Sequence, residues 1–166
     1  VRTDAVVSGA GRRVPEHLVD ALVSVAAALH DVERRRANSA SGAVYIVKPK
    51  LHGAAECALA DELFTMVEQV LRLPRHTVKL GLMDEERRTS LSLAASCAAL
   101  RQRLFFVNTG FLDRTADEIR TCAAAGPVLP KAEIKASSAW YAAYEQSNVA
   151  VALGAGAAGG AHAGMR

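Results

Sequence analysis

The chain has 166 residues, 51% of them hydrophobic and 22% charged, which is enough for one core and excludes a disordered or collagen-like polypeptide. Lys plus Arg number 20 and Asp plus Glu 17, and a net charge of +3 is too small and too scattered for a nucleic-acid footprint. No apolar run approaches the roughly 20 residues of a membrane span, no secretory leader is expected at Val1, and the chain is shorter than the roughly 200–250 residues of a complete eight-fold α/β barrel.

Residues 1–13 read as short and irregular, with a turn at Gly9 and Gly11. Pro15 suits a first helical turn, and Leu18, Ala21, Leu22, Val25, Ala28 and Leu29 then follow helical spacing. Arg34, Arg35 and Arg36 suit the C-terminal end of that helix, where positive charge is favoured. After a polar loop, Val44-Tyr45-Ile46-Val47 is a compact run of β-formers. It stops at Lys48-Pro49-Lys50, because proline cannot continue a central strand. Residues 56–71 predict a long helix that ends at Leu73-Pro74. Residues 77–82 predict a strand running into Met83-Asp84-Glu85-Glu86, and 91–103 an Ala- and Leu-rich helix. Leu104-Phe105-Phe106-Val107 is the third strand and runs into Asn108-Thr109-Gly110. Residues 112–123 predict a helix broken at Gly126-Pro127, and Ser137 or Ser138 caps a last helix through Tyr144. Residues 150–166 form a Gly/Ala-rich tail of unassigned structure, leaving 1–149 as the folded domain. Near-continuous apolar strands separated by helices predict βαβ crossovers and a parallel sheet covered by helices.

In such folds ligands bind at the carboxyl ends of the strands. Three ends are visible: Lys48 to Gly53, Met83 to Arg88 and Asn108 to Arg114. Along the second strand Val78, Leu80 and Leu82 share a face with Asp84, whereas Lys79, Gly81, Met83 and Glu85 share the other. In a barrel the aliphatics pack outward, which places Glu85 at the inner rim. The plain alternative is a solvated charged loop opening a helix. Asp113 opens the next helix. It serves either as an acid satisfying free backbone amides or, after the close-approach glycine Gly110, as part of an anion or metal site. Two acids from neighbouring strand ends suit magnesium, which takes one or two protein carboxylates and fills its other positions with water and substrate. Lys48 and Lys50 flank Pro49 as either solvated charge or ligand contacts.

Other chemistries find little support. His17, His30, His52, His76 and His162 make no i,i+4 or H-x-H pair. Cys57, Cys97 and Cys122 have no paired spacing and read as inert buried thiols in a reducing cytoplasm. There is no P-loop, no dinucleotide fingerprint and no nucleophile elbow. One tryptophan and three tyrosines leave little for a base-stacking platform.

At its three strand ends the sequence resembles malate synthase, closest to the large G form. The segments that carry the resemblance run from Val44 through Lys48-Pro49-Lys50-Leu51-His52-Gly53, from Gly81 through Met83-Asp84-Glu85-Glu86-Arg87-Arg88-Thr89, and from Phe106 through Asn108-Thr109-Gly110-Phe111-Leu112-Asp113-Arg114-Thr115. Ala125-Gly126-Pro127 and Trp140 to Glu145 add to it, and the similarity spans about 14–149. It implies part of a (β/α)8 TIM barrel, about three to four βα units with parallel strands. The activity implied is condensation of acetyl-CoA with glyoxylate and water to malate and CoA, in the glyoxylate cycle. Magnesium would be held by the residues matching Glu85 and Asp113, and glyoxylate would be bound near Gly110, Leu112 and Asp113. The family's catalytic Asp base and enolate-stabilising Arg match nothing in these 166 residues. The family's Gly/Lys-rich segment is replaced here by Gly154 to Gly160 without Arg or Lys.

The implied partners are glyoxylate and acetyl-CoA, with no nucleic acid and no membrane. The full-length family is monomeric, and exposed sheet edges of a partial barrel invite self-association. Two other classes stay open: a related magnesium-dependent malyl- or citryl-CoA lyase, and an inactive remnant or assembly module.

Overall fold

The computed structural model describes residues 6–156 and 162–163. The described residues divide into two compact units, one of residues up to 44 with 62–79, the other of 45–61 with 80 onward.

In the first unit, β1 (Val6–Val7) and β2 (Arg13–Val14) form an antiparallel hairpin where the pattern predicts irregular chain. Gly11, at φ 74°, and the bond from Ser8 N to Arg12 O at 2.8 Å close its turn. Helix α1 (Glu16–Val32) follows with Pro15 as its N-cap and buries Ala21 and Val25. Its C-terminus is closed by Asp31, whose carboxylate accepts from the amides of Ala37 and Asn38 at 3.0 Å each. Helix α2 (Ala54–Val70) contributes Leu63, Phe64, Val67 and the buried acid Glu68 to this unit. Glu68 accepts from the amides of Val78 at 2.8 Å and His76 at 3.1 Å, so its charge is met where the chain leaves the helix.

The second unit holds all but the first residues of β3 and β4 in a sheet of order β3–β4–β5–β6, from Val44–Lys48, Val78–Asp84, Leu104–Thr109 and His162–Ala163. The β4–β5 and β5–β6 ladders are parallel. The register sets Asp84 opposite Thr109, so β4 runs two residues past its predicted end. Gly81 makes room for the Phe106 ring: a Cβ there would lie 2.6 Å from its nearest carbon. The core holds Leu80, Leu82, Leu93, Cys97, Leu100 and Val107. Arg103, fully buried, donates from Nε to Asp61 Oδ1 at 2.5 Å.

Four helical stretches depart from the expected pattern. The one expected over 91–103 starts earlier and is divided at Ser92 into α3 (Arg87–Leu91) and α4 (Leu93–Ala99). The Ser92 and Ser96 hydroxyls bond back to the carbonyls of Arg88 and Ser92, a pattern that bends helices. The one expected over 112–123 is divided at Glu118 into α5 (Phe111–Asp117) and α6 (Ile119–Ala125), and Gly126, at φ 141°, ends it. An unexpected α7 (Lys131–Ser137) opens at Pro130. Helix α8 (Ala139–Gly154) is capped by Ser138, whose Oγ accepts from Tyr141 N at 3.1 Å, and continues past Tyr144 because Asn148 and Ala152 are buried. The boundary at 149 therefore falls inside a helix. Residues 157–161 and 164–166, with most of the glycine run, lie outside the described residues. Among the described residues no helix is long and apolar enough to cross a membrane.

Candidate metal and substrate site

Strand β4 separates its two terminal acids by the ordinary alternation of a strand. Val78, Leu80 and Leu82 are fully buried on the side that Asp84 shares. Glu85 takes the opposite side and is only 2% exposed. Gly110, which follows β5, donates its amide to Asp84 O at 3.2 Å and closes against Glu85. A Cβ on Gly110 would lie 2.8 Å from Glu85 Cβ and 3.0 Å from Oε2, so a side chain at 110 displaces that carboxylate.

The end of β3 supplies the opposing charge. Lys50 adopts φ 58°, which turns its amide onto Glu85 Oε1 at 2.6 Å. Its ammonium lies 3.1 Å from Asp113 Oδ2, 3.5 Å from Glu86 Oε1 and 3.7 Å from Glu85 Oε2. Three carboxylates thus converge on one ammonium. Beyond them, His52 Nε2 lies 3.4 Å from Glu86 Oε2, and Arg88 Nη2 lies 2.8 Å from His52 Nδ1. Arginine has only donors, so Nδ1 accepts and the imidazole proton sits on Nε2, facing Glu86. Thr89 donates its hydroxyl to Leu51 O and pins the loop.

Burial pushes the Glu85 carboxyl above its ordinary value. The Lys50 amide opposes that shift, and a hydrogen bond with Asp113 adds to it. Asp113 is held low, first by its bond to the Lys50 ammonium and then by that to Glu85. Glu85 is therefore the weaker acid of the pair, as expected of two close carboxyls in unequal surroundings. Partial burial works against the Lys50 charge, but Asp113, Glu85 and Glu86 outweigh it and raise its pKa.

Asp84 faces the core and is spent there. Ser90 Oγ donates to its Oδ1 at 2.6 Å, Asn148 Nδ2 to its Oδ2 at 2.9 Å, and the Tyr144 hydroxyl to its carbonyl. Arg114 donates to Ser90 Oγ at 3.0 Å and pairs with Glu118. Phe111, Ile134 and Tyr144, with Trp140 and Tyr141 against them, form the apolar cluster beside this network.

Of the residues singled out from the sequence, Glu85, Gly110 and Asp113 come together. Leu112 is half-exposed, and Gly110 stands as the N-cap of α5 with no side chain capping its first amides. Lys50 is no solvated bystander, and Glu86, His52 and Arg88 join the cluster without having been assigned to it. The signal was the density of charge at adjacent strand ends. Cys57 and Cys97 are buried, but Cys122 is only partly so. Among the described residues no three His, Cys, Asp or Glu side chains are arranged as a metal cage. A cavity of about 340 Å³ lined by His30, Asp31, Arg34, Arg35 and Asn38 belongs to the loop that ends α1 and brings none of these residues together.

The sequence model of the malate synthase TIM barrel domain matches residues 2–166. Malate synthase G of Halalkalibacterium halodurans is 49% identical over 164 residues, 98% of this chain and 22% of its own length. Malate synthase G of Corynebacterium glutamicum is 46% identical, and that of Corynebacterium efficiens 45%, each over 156 residues and 93% of this chain. The chain spans about a fifth of the length of these curated relatives. The α/β sheet, its parallel ladders and this match together establish that the chain belongs to the malate synthase TIM-barrel family.

Proposed function

We propose that these residues form the metal- and glyoxylate-binding part of a malate synthase, which condenses acetyl-CoA with glyoxylate and water to malate and CoA. The observation that carries this reading is the convergence of Glu85 and Asp113 on one cation, the Lys50 ammonium, at the carboxyl ends of β4 and β5. The donor set fits magnesium: hard carboxylate oxygens from two residues, with the remaining positions left to water and substrate. When bound there, magnesium would act as a Lewis acid on the aldehyde oxygen of glyoxylate.

The chain's own residues supply the rest. Gly110 keeps the space beside Glu85 clear. The amides of Leu112 and Asp113, in the first turn of α5, have no partner within a helix and suit the glyoxylate carboxylate. Glu86, with His52 and Arg88 behind it, gives Lys50 a third anionic partner. Forming the carbon–carbon bond also requires a base for the acetyl methyl group and a cation for the enolate. The family resemblance assigns those tasks to an Asp and an Arg outside these 166 residues. General-base help alone is worth roughly 10²–10⁴-fold, so a polypeptide limited to these residues does not make malate at an enzymatic rate. Free cysteines fit a cytoplasmic setting.

The test is calorimetric titration of the chain with Mg2+, with and without glyoxylate, alongside Glu85→Gln and Asp113→Asn. Weak binding that glyoxylate strengthens and either substitution abolishes is expected. If either variant keeps the wild-type affinity, that residue is not a ligand and the reading fails.

A further inference from the structure

We infer that Lys50 is a built-in counter-ion: its ammonium holds the Glu85–Asp113 pair closed in the absence of metal and gives way to the divalent cation, swinging onto Glu86. This rests on the magnesium reading above and adds a role for the residue whose ammonium marks that site.

The geometry points to displacement rather than to a spectator charge. The ammonium takes Glu85 Oε2 and Asp113 Oδ2, while the Lys50 amide already occupies Glu85 Oε1. A metal joining both acids therefore competes for the same two oxygens. Magnesium and an ammonium cannot both sit there without close like-charge contact. Lys50 also has a place to go. Its side chain is 44% exposed, and Glu86 Oε1 is already 3.5 Å away. Glu86 is itself nearly buried, faced by the Nε2 proton of His52, and gains from a full positive charge. The Lys50 backbone does not have to move with its side chain, because its amide stays on Glu85 and Thr89 pins the next carbonyl. The ammonium thus holds the buried Glu85 carboxyl and the exposed Asp113 carboxyl at one spacing, which offsets their mutual repulsion before metal arrives.

The test is the affinity of the 166-residue chain for Mn2+ as the probe metal, read from loss of the free-ion paramagnetic resonance signal, in wild type, Lys50→Met and Glu85→Gln. Removing one positive charge about 4 Å from a divalent site should tighten binding about tenfold. Lys50→Met should also melt at a lower temperature than wild type without metal, and saturating Mn2+ should restore it more than it does the wild type. Glu85→Gln should bind no Mn2+. Unchanged or weaker affinity in Lys50→Met, with Glu85→Gln inactive in binding, overturns the counter-ion role while leaving the metal site standing. Wild-type affinity in Glu85→Gln overturns the metal site itself. Should Lys50→Met fail to fold, Lys50→Gln, which keeps length and loses charge, makes the same comparison.

Discussion

Asp84 and Glu85 are chain neighbours, each 2% exposed, and each carboxyl is raised by burial above all else. They nonetheless do opposite work. Asp84 faces the core, and both its oxygens are taken by neutral donors, Ser90 and Asn148. Glu85 faces the rim, with one oxygen on a backbone amide, the other on an ammonium, and a second carboxyl bonded to it. Burial alone does not make an acid functional. What separates the two is whether the partners are fixed neutral groups or exchangeable charges.

The comparison breaks most sharply in metal binding. Glu85→Gln or Asp113→Asn should abolish Mg2+ binding, whereas Asp84→Asn, which keeps an acceptor for Ser90, should leave a detectable site. The next largest effect is on stability. Asp84→Ala strands the Asn148 and Ser90 donors in the core and should cost about 2–4 kcal/mol, read as a lower midpoint in urea denaturation. Gly110→Ala forces a Cβ within 2.8 Å of Glu85 Cβ and should weaken Mg2+ binding by more than it lowers stability. A stability loss of about 1–2 kcal/mol is expected for such overpacking. Ser138→Ala removes the cap of α8 and should cost about 1 kcal/mol without touching the metal.

A last contrast lies among the cysteines. Burial pushes the Cys57 and Cys97 thiols up to about 11. The fold thus favours their neutral form, so the stability they contribute is complete below the ordinary thiol range and lost as pH rises through about 11. Urea midpoints should fall between pH 8 and pH 11, by less in Cys57→Ala and Cys97→Ala. At neutral pH a thiol reagent should modify Cys122 first.

Much of the site is legible in the sequence. Strand alternation alone set Asp84 and Glu85 on opposite faces, and the third strand end singled out Asp113 as one of two readings. The family resemblance then chose between those readings. The sequence did not disclose that Lys50 reaches all three acids. That depends on a positive φ at a residue other than glycine, a tertiary compromise that no local propensity predicts. The divisions at Ser92 and Glu118 were hidden for a related reason. Both interrupt stretches of good helix formers, and at Ser92 the competing bonds come from serine hydroxyls whose direction composition does not reveal. Helix α8 outran its predicted end because burial of Asn148 against Asp84, rather than its apolar pattern, holds its later turns.

The proposal that Glu85 and Asp113 form one cation site is tested most directly by a crystal of this chain soaked with Mn2+ and glyoxylate, read by anomalous scattering at the manganese edge. A single peak is expected within bonding distance of both carboxylates, a little over about 2 Å as for hard cations near this size, with the Lys50 ammonium moved toward Glu86. A peak that touches only one of the two acids, or no peak between them at saturating metal, would contradict it.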